Sequence, residues 1–166
     1  MKQLEIERKF LIVRPDEKEL EAMEGCIRHE ILQTYLCSDP GIDERVRMRI
    51  TGDEVTFFHT VKEHLTPMVR TEAETVIGQM TYETYLDRAD PAFRPLKKTR
   101  FCIPYAGQTL EIDVYPFMHE EAILEIELPT EDTPVQLPPF LQVIREATGD
   151  KMYSNRRMAK RGAEPQ

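Results

Sequence analysis

Residues 4–10 read LEIERKF, and in this stretch charged and apolar side chains alternate. In a β-strand, alternate side chains point to the same face. A strand here therefore places Glu5, Glu7 and Lys9 on one face and the apolar residues on the other. Two neighbouring carboxylates repel each other unless a cation lies between them, and clustered acidic oxygens are typical ligands of Mg²⁺ or Mn²⁺. For this segment alone, the alternative is an amphipathic strand with solvated charges.

The overall composition is typical of one soluble globular domain. The chain has 166 residues, of which 40% are hydrophobic and 31% charged, and its formal net charge is −8. This acidic balance argues against a protein that binds duplex nucleic acid, although a local basic surface can still bind an anionic substrate. Residues 1–10 contain no apolar signal-peptide core, and no apolar run reaches transmembrane length. We therefore expect a cytoplasmic protein that does not bind a membrane.

The same alternation recurs along the chain and predicts an α+β domain dominated by antiparallel strands. Strands are expected near residues 4–10, 30–36, 44–50, 54–62, 69–77, 96–103, 108–115 and 122–128. Helices are expected after Pro15-Asp16, at 79–89, after Pro138-Pro139 and at 154–161. We expect one domain over residues 1–161, followed by a frayed tail at 162–166.

Most of the predicted strands collect like charges on one face. Carboxylates form the same-face pairs Glu5/Glu7, Glu72/Glu74, Glu111/Asp113 and Glu125/Glu127, and bases form the sets Arg45/Arg47/Arg49 and Lys98/Arg100. A solvated strand face has little reason to concentrate like charges, because neighbouring like charges repel. In a β-sandwich these charged faces would be exposed to solvent. In a closed barrel they line the interior, and no strand edge is left unpaired. The grouping of like charges on separate strand faces favours the barrel. In its interior, acids that bind a metal would face bases that bind a polyphosphate.

These motifs, taken in order, resemble a known family. The chain is similar to CYTH-domain proteins of the triphosphate tunnel metalloenzyme superfamily, which share the Glu-x-Glu-x-Lys signature seen at Glu5, Glu7 and Lys9. The resemblance also rests on Gln33 with Tyr35-Leu36, Arg47-x-Arg49, Lys62, Arg70-x-Glu72-x-Glu74, Lys98-x-Arg100, Glu111-x-Asp113, Glu125-x-Glu127 and Tyr153-x-Asn155. It implies an eight-stranded antiparallel closed β-barrel around a triphosphate tunnel, with helices packed outside and a short C-terminal plug helix.

The resemblance also implies roles for individual residues. Glu5, Glu7 and Glu127 would hold a first Mg²⁺ or Mn²⁺ ion, with Glu125 beside them. A second metal that activates water would be held by Glu72, Glu74 and Asp113, so the implied catalytic set is Glu5, Glu7, Lys9, Glu72, Glu74 and Asp113. The implied substrate-binding residues are Lys9, Arg47, Arg49, Lys62, Lys98 and Arg100, and Arg45 joins them as a candidate. For each, and for Arg70, the alternative is a structural ion pair in the barrel wall.

The activity implied is that of a divalent-metal-dependent triphosphatase, a phosphoric anhydride hydrolase acting on inorganic triphosphate and also on nucleoside triphosphates. A class IV-type adenylate cyclase is one alternative, in which the ribose 3′-hydroxyl of ATP replaces water. A non-catalytic polyphosphate- or nucleotide-binding module is another. The sequence leaves a homodimer open. Cys102 shares a face with Lys98 and Arg100, which could lower its pKa, with a packing cysteine as the favoured alternative.

Overall fold

The computed structural model describes residues 2–161, and the predicted frayed tail at 162–166 lies outside them. The strands in this range are β1 (Gln3–Val13), β2 (Ile27–Tyr35), β3 (Ile42–Thr51), β4 (Glu54–His64), β5 (Val69–Ile77), β6 (Leu96–Tyr105), β7 (Gln108–Val114), β8 (Glu121–Glu127) and β9 (Val143–Glu146). The helices are α1 (Glu17–Glu21), α2 (Gln79–Leu86) and α3 (Asn155–Ala159), and a 3₁₀ turn covers Lys151–Tyr153. None of the helices within residues 2–161 combines the length and the apolar character needed to cross a membrane.

The sheet closes on itself into the predicted eight-stranded antiparallel barrel. Its strand order is β5-β4-β3-β2-β6-β7-β8-β1, and β1 pairs back onto β5. Closure depends on β1, which pairs with β5 over Gln3–Ile6 and with β8 over Glu7–Val13. The added strand β9 pairs with the later part of β1, beyond the segment that β5 occupies. This arrangement leaves both edges of β1 paired and encloses the inward-facing side chains.

Alternation along each strand separates an apolar exterior from a charged interior. On β8, Ala122, Leu124 and Ile126 face outwards and are completely buried beneath the elements that cover the barrel. Leu20 of α1 and Leu141 of the loop before β9 pack in this outer layer. Burial of these apolar faces is what stabilises a barrel whose interior is polar.

The segment after Pro138-Pro139 does not form the predicted helix. It runs across the exterior as a loop and then becomes the strand β9. Val143 pairs with Ile12, and Glu146 pairs with Phe10. The helical prediction was wrong because a neighbouring strand edge was available for hydrogen bonding, and β-branched residues such as Val143 and Ile144 fit that environment.

The C-terminal segment closes one end of the barrel, as the predicted helix at 154–161 required. Met158 and Ala159 of α3 are completely buried against inward-facing residues, namely Leu11, Tyr35, Leu96, Tyr115 and Ile123. The helix begins at a conventional cap, because the Ser154 side chain accepts a hydrogen bond from the backbone N–H of Arg157. The plug is therefore held by both apolar contact and local capping.

Candidate active site

The barrel interior holds a cavity of about 1070 Å³ that collects charged side chains from seven of the eight barrel strands, whereas β2 contributes Ile31 and Tyr35. The predicted site residues on its surface are Glu5, Glu7, Lys9, Arg45, Arg47, Arg49, Lys62, Glu72, Glu74, Lys98, Arg100, Glu125 and Glu127. Arg70 also lines the cavity. Asp113 does not reach the cavity surface and is completely buried behind it.

Asp113 is held in the barrel wall by two bases of β6. Lys98 Nζ donates to its Oδ2 at 2.8 Å, and Arg100 Nε donates to its Oδ1 at 2.7 Å. Burial alone would raise the pKa of the Asp113 carboxyl, but the positive charges of Arg100 and Lys98 outweigh it and lower that pKa. Asp113 thus fixes the orientation of two substrate-binding candidates, and its role as a metal ligand stays a prediction.

The acidic residues of β5 are paired with bases from neighbouring strands. Lys62 Nζ lies 2.9 Å from a carboxylate oxygen of Glu5 and 3.0 Å from one of Glu72. Arg47 Nη2 lies 2.8 Å from Glu74. The acids and bases of the cavity therefore neutralise each other across β1, β3, β4 and β5.

A second set of ion pairs joins β1 to β5 and β8. The Arg70 guanidinium bridges Glu5 and Glu7, and Lys9 Nζ lies 3.7 Å from Glu125. Within residues 2–161, no three Asp, Glu, His or Cys side chains are grouped closely enough to hold a metal ion. A metal at the first predicted site would therefore compete with Arg70 for Glu5 and Glu7.

Glu127 differs from the other predicted metal ligands. It is exposed, and unlike them it forms no ion pair with any residue of the described range 2–161. It stands opposite Glu7 in the β1–β8 register. Partial burial, and then the negative charges of Glu5 and Glu72, raise its pKa above the ordinary value. This local excess of negative charge, presented by hard oxygen donors, fits a divalent cation such as Mg²⁺ or Mn²⁺.

The strand β3 forms a basic wall on the cavity surface, made of Arg45, Arg47 and Arg49 at successive inward positions. Their three Nε atoms are buried and have no hydrogen-bond partner among residues 2–161. Buried N–H donors without acceptors are costly, and guanidinium groups match phosphate oxygens well. The basic wall is thus suited to an anion that brings several acceptor oxygens.

Comparison with solved structures identifies the fold. The crystal structure of the inorganic triphosphatase NE1496 is 28% identical, covers 93% of this chain and 93% of that chain, and superimposes with a TM-score of 0.56. The chain has the CYTH-type triphosphate tunnel fold. PH1819 from Pyrococcus horikoshii OT3 (21% identity, 77% and 80% coverage, TM-score 0.54) shares this fold. HpAC1 from Hippeastrum, which is named as a putative adenylyl cyclase with a dominant triphosphatase activity, also shares this fold. It is 15% identical, covers 76% of this chain and 80% of that chain, and superimposes with a TM-score of 0.52. No family model and no curated protein sequence matches the chain.

Two bases of the tunnel, Arg47 and Lys98, are held in surroundings that disfavour their charged forms, whereas nearby negative groups raise the pKa values of Arg45 and Arg100. Burial, and then the charge of Arg45, lower the pKa of Arg47 to about 10. Burial and the charge of Arg100 lower the pKa of Lys98 to about 8. A polyanion in the cavity would relieve both effects, because it favours the charged form of each base.

Sequence reasoning missed Asp43 as a residue of the tunnel interior, and it missed the contact that Thr60 makes with Glu74. Asp43 lines the cavity two positions before Arg45, so extending the β3 alternation backwards would have found it. Thr60 is completely buried and donates a hydrogen bond to Glu74 at 3.1 Å. Its hydroxyl carries no charge, so the charge pattern contained no signal for this contact.

The pKa of Cys102 shifts in the direction opposite to the one its basic neighbours suggested. Burial, and then the negative charge of Glu111, raise the pKa of the thiol to about 11, outweighing Arg100. The thiol is therefore protonated at neutral pH, and an activated nucleophile at this position is excluded.

Proposed function

We propose that this protein is a divalent-metal-dependent triphosphatase that hydrolyses inorganic triphosphate and accepts nucleoside triphosphates. The observation that carries the proposal is one cavity inside the barrel that the unpartnered Nε donors of the β3 arginines share with the carboxylates of β1, β5 and β8. The activity named for NE1496, a protein that matches this chain along almost its whole length, supports the same reaction. A cytoplasmic location and a homodimer stay predictions.

The metal would be held by Glu5, Glu7 and Glu127, with Glu125 beside them, because these carboxylates lie on the paired strands β1 and β8. Mg²⁺ or Mn²⁺ bound there would offset the charge of the phosphates and favour attack by water. Glu72, Glu74 and Asp113 are the candidates for a second ion. Glu72 and Glu74 each have one oxygen paired with a base, whereas both oxygens of Asp113 are bonded to bases.

The bases perform the binding and the electrostatic stabilisation. Arg45, Arg47 and Arg49 would donate to phosphate oxygens, and Lys62 and Lys98 would exchange a carboxylate partner for a phosphate. These donors line the barrel cavity, where they would stabilise charge that develops on the departing diphosphate. The same donors bind the substrate and favour the bond cleavage.

Metal removal tests the reaction. The purified protein is expected to release phosphate from tripolyphosphate with added Mg²⁺ or Mn²⁺ and to lose this activity after exhaustive EDTA treatment, because the acidic end repels phosphate without a cation. Full turnover after EDTA would refute metal dependence. With ATP as substrate, cyclic AMP as the main product would establish the cyclase alternative. Tight binding of tripolyphosphate and ATP without any turnover would establish a binding module.

The length of the basic surface leads to a second expected result. Tripolyphosphate should raise the melting temperature more than pyrophosphate does at equal concentration, because bases on β1, β3, β4 and β6 line the same cavity. Stabilisation by a ligand follows its affinity for the folded state. A thermal titration with both anions measures the two affinities, and equal values would argue against a site of triphosphate length.

A further inference from the structure

Asp43 is the first inward-facing residue of β3 and has no assigned task in the reaction described above. It lines the cavity and is only 7% exposed. Its Oδ1 atom is buried and accepts no hydrogen bond from any of residues 2–161, and no ion pair joins Asp43 to a base in that range. A buried carboxylate oxygen without a donor costs free energy, so a group that donates a hydrogen bond is expected there in the working protein.

The surroundings of Asp43 are basic, and its negative charge, with that of Tyr35, favours the charged form of Arg45. Arg45 is the next residue on the same face, and Lys62 lies directly opposite in the β3–β4 register. Lys62 already has two carboxylate partners, Glu5 and Glu72. A purely structural role as the counter-ion of Lys62 is therefore redundant.

The charge distribution also decides which ligand fits this carboxylate. Phosphate oxygens are repelled by a carboxylate, and a metal ion is disfavoured between Arg45 and Lys62. A neutral molecule with an O–H to donate fits both constraints, and water is such a molecule. Strand geometry separates Asp43 from Arg45 by about 6.8 Å along β3. A phosphoryl group bound to Arg45 would therefore lie beside the Asp43 carboxylate, and a water molecule held by Asp43 would lie next to that phosphoryl group.

We propose that Asp43 orients the attacking water and accepts its proton, an inference that rests on the proposed function. The water oxygen forms a bond to the terminal phosphorus while the bridging P–O bond breaks. The electron pair of that bond leaves with the diphosphate, and one water proton moves to the Asp43 carboxylate. Asp43 later returns the proton to solvent.

Asp43→Asn tests the assignment, because it keeps the shape of the side chain and removes the base. We expect kcat to fall by about 100-fold or more, the low end for general base catalysis, while the dissociation constant for tripolyphosphate and the melting temperature stay near wild-type values. The matched control is Asp53→Asn in the exposed β3–β4 turn, outside the cavity, which should change none of these quantities. Near-normal kcat in Asp43→Asn would overturn the proposal.

Chemical rescue separates a base from a structural carboxylate. In Asp43→Ala, added formate should restore part of kcat in a saturable manner, and a structural role predicts no such recovery. Recovery of full kcat in Asp43→Asn by raised Mg²⁺ would instead make Asp43 a metal ligand and overturn the assignment. A wild-type protein that binds tripolyphosphate without hydrolysing it would refute the proposed function together with this inference. A failure confined to the Asp43 variants leaves the proposed function standing.

Discussion

Glu127→Gln is expected to abolish most metal-dependent turnover while the barrel stays folded. Glu127 forms no ion pair within residues 2–161, so the amide breaks no structural contact in that range. Loss of one carboxylate ligand should cost at least the ~10–100-fold that outer-shell partners of metal sites contribute. The raised pKa of Glu127, caused by burial and by Glu5 and Glu72, means that its charge costs stability at neutral pH. The melting temperature without metal should therefore stay level or rise.

The measurements are the melting temperature and the Mg²⁺-dependent rate of phosphate release from tripolyphosphate. Glu121→Gln is the matched control, because Glu121 lies on the same strand and outside the cavity. Glu121→Gln should leave the melting temperature and the Mg²⁺-dependent rate at their wild-type values. Wild-type turnover in a well-folded Glu127→Gln protein would remove Glu127 from the site.

Arg49→Ala should weaken both binding and turnover of tripolyphosphate. The Arg49 Nε is buried without a partner among residues 2–161, and the guanidinium lies 4.7 Å from the centre of the Phe58 ring. A charge-assisted hydrogen bond contributes about 1.5–3 kcal/mol, which corresponds to about 10–150-fold in kcat/KM. Arg49→Lys should fall between wild type and Arg49→Ala, since it keeps the charge and loses the planar fork.

The control for Arg49 is Arg28→Ala, which removes an exposed arginine on the outer side of β2 that pairs with Glu21 and Glu30. Such surface ion pairs contribute little to stability. Arg28→Ala should therefore leave kcat/KM unchanged. If Arg49 is instead structural, Arg49→Ala should lower the melting temperature, and the protein that remains folded should keep a normal kcat/KM. Steady-state kinetics and thermal unfolding on both variants distinguish these cases.

The barrel could be predicted from the sequence because one rule governs most of its strands. Inward positions carry charge and outward positions are apolar, so the alternation at Glu5, Glu7 and Lys9 extends to the later strands, whereas β2 presents Ile31 and Tyr35 to the cavity. The strand β9 could not be predicted in this way, because its partner is the edge of β1, 131 or more residues earlier, at Ile12↔Val143 and beyond. Long-range pairing of this kind leaves no local pattern.

The composition of the charged interior was predictable, whereas the pairing of its charges was not. Spacing places Glu111 and Asp113 on one face of β7, yet only the fold shows that Asp113 is bonded to Lys98 and Arg100 behind the cavity surface. Glu127 stands apart from such pairs for the same reason. Which acids keep a free carboxylate depends on neighbours from other strands.

The plug formed by α3 affects how a substrate would reach the cavity. Met158 and Ala159 pack against inward-facing residues at one end of the barrel, so α3 obstructs that end. In the proposed triphosphatase, we therefore expect substrate and products to exchange through the opposite end. A polyphosphate chain longer than the cavity would then be bound at one terminus, with its remaining phosphates in solvent.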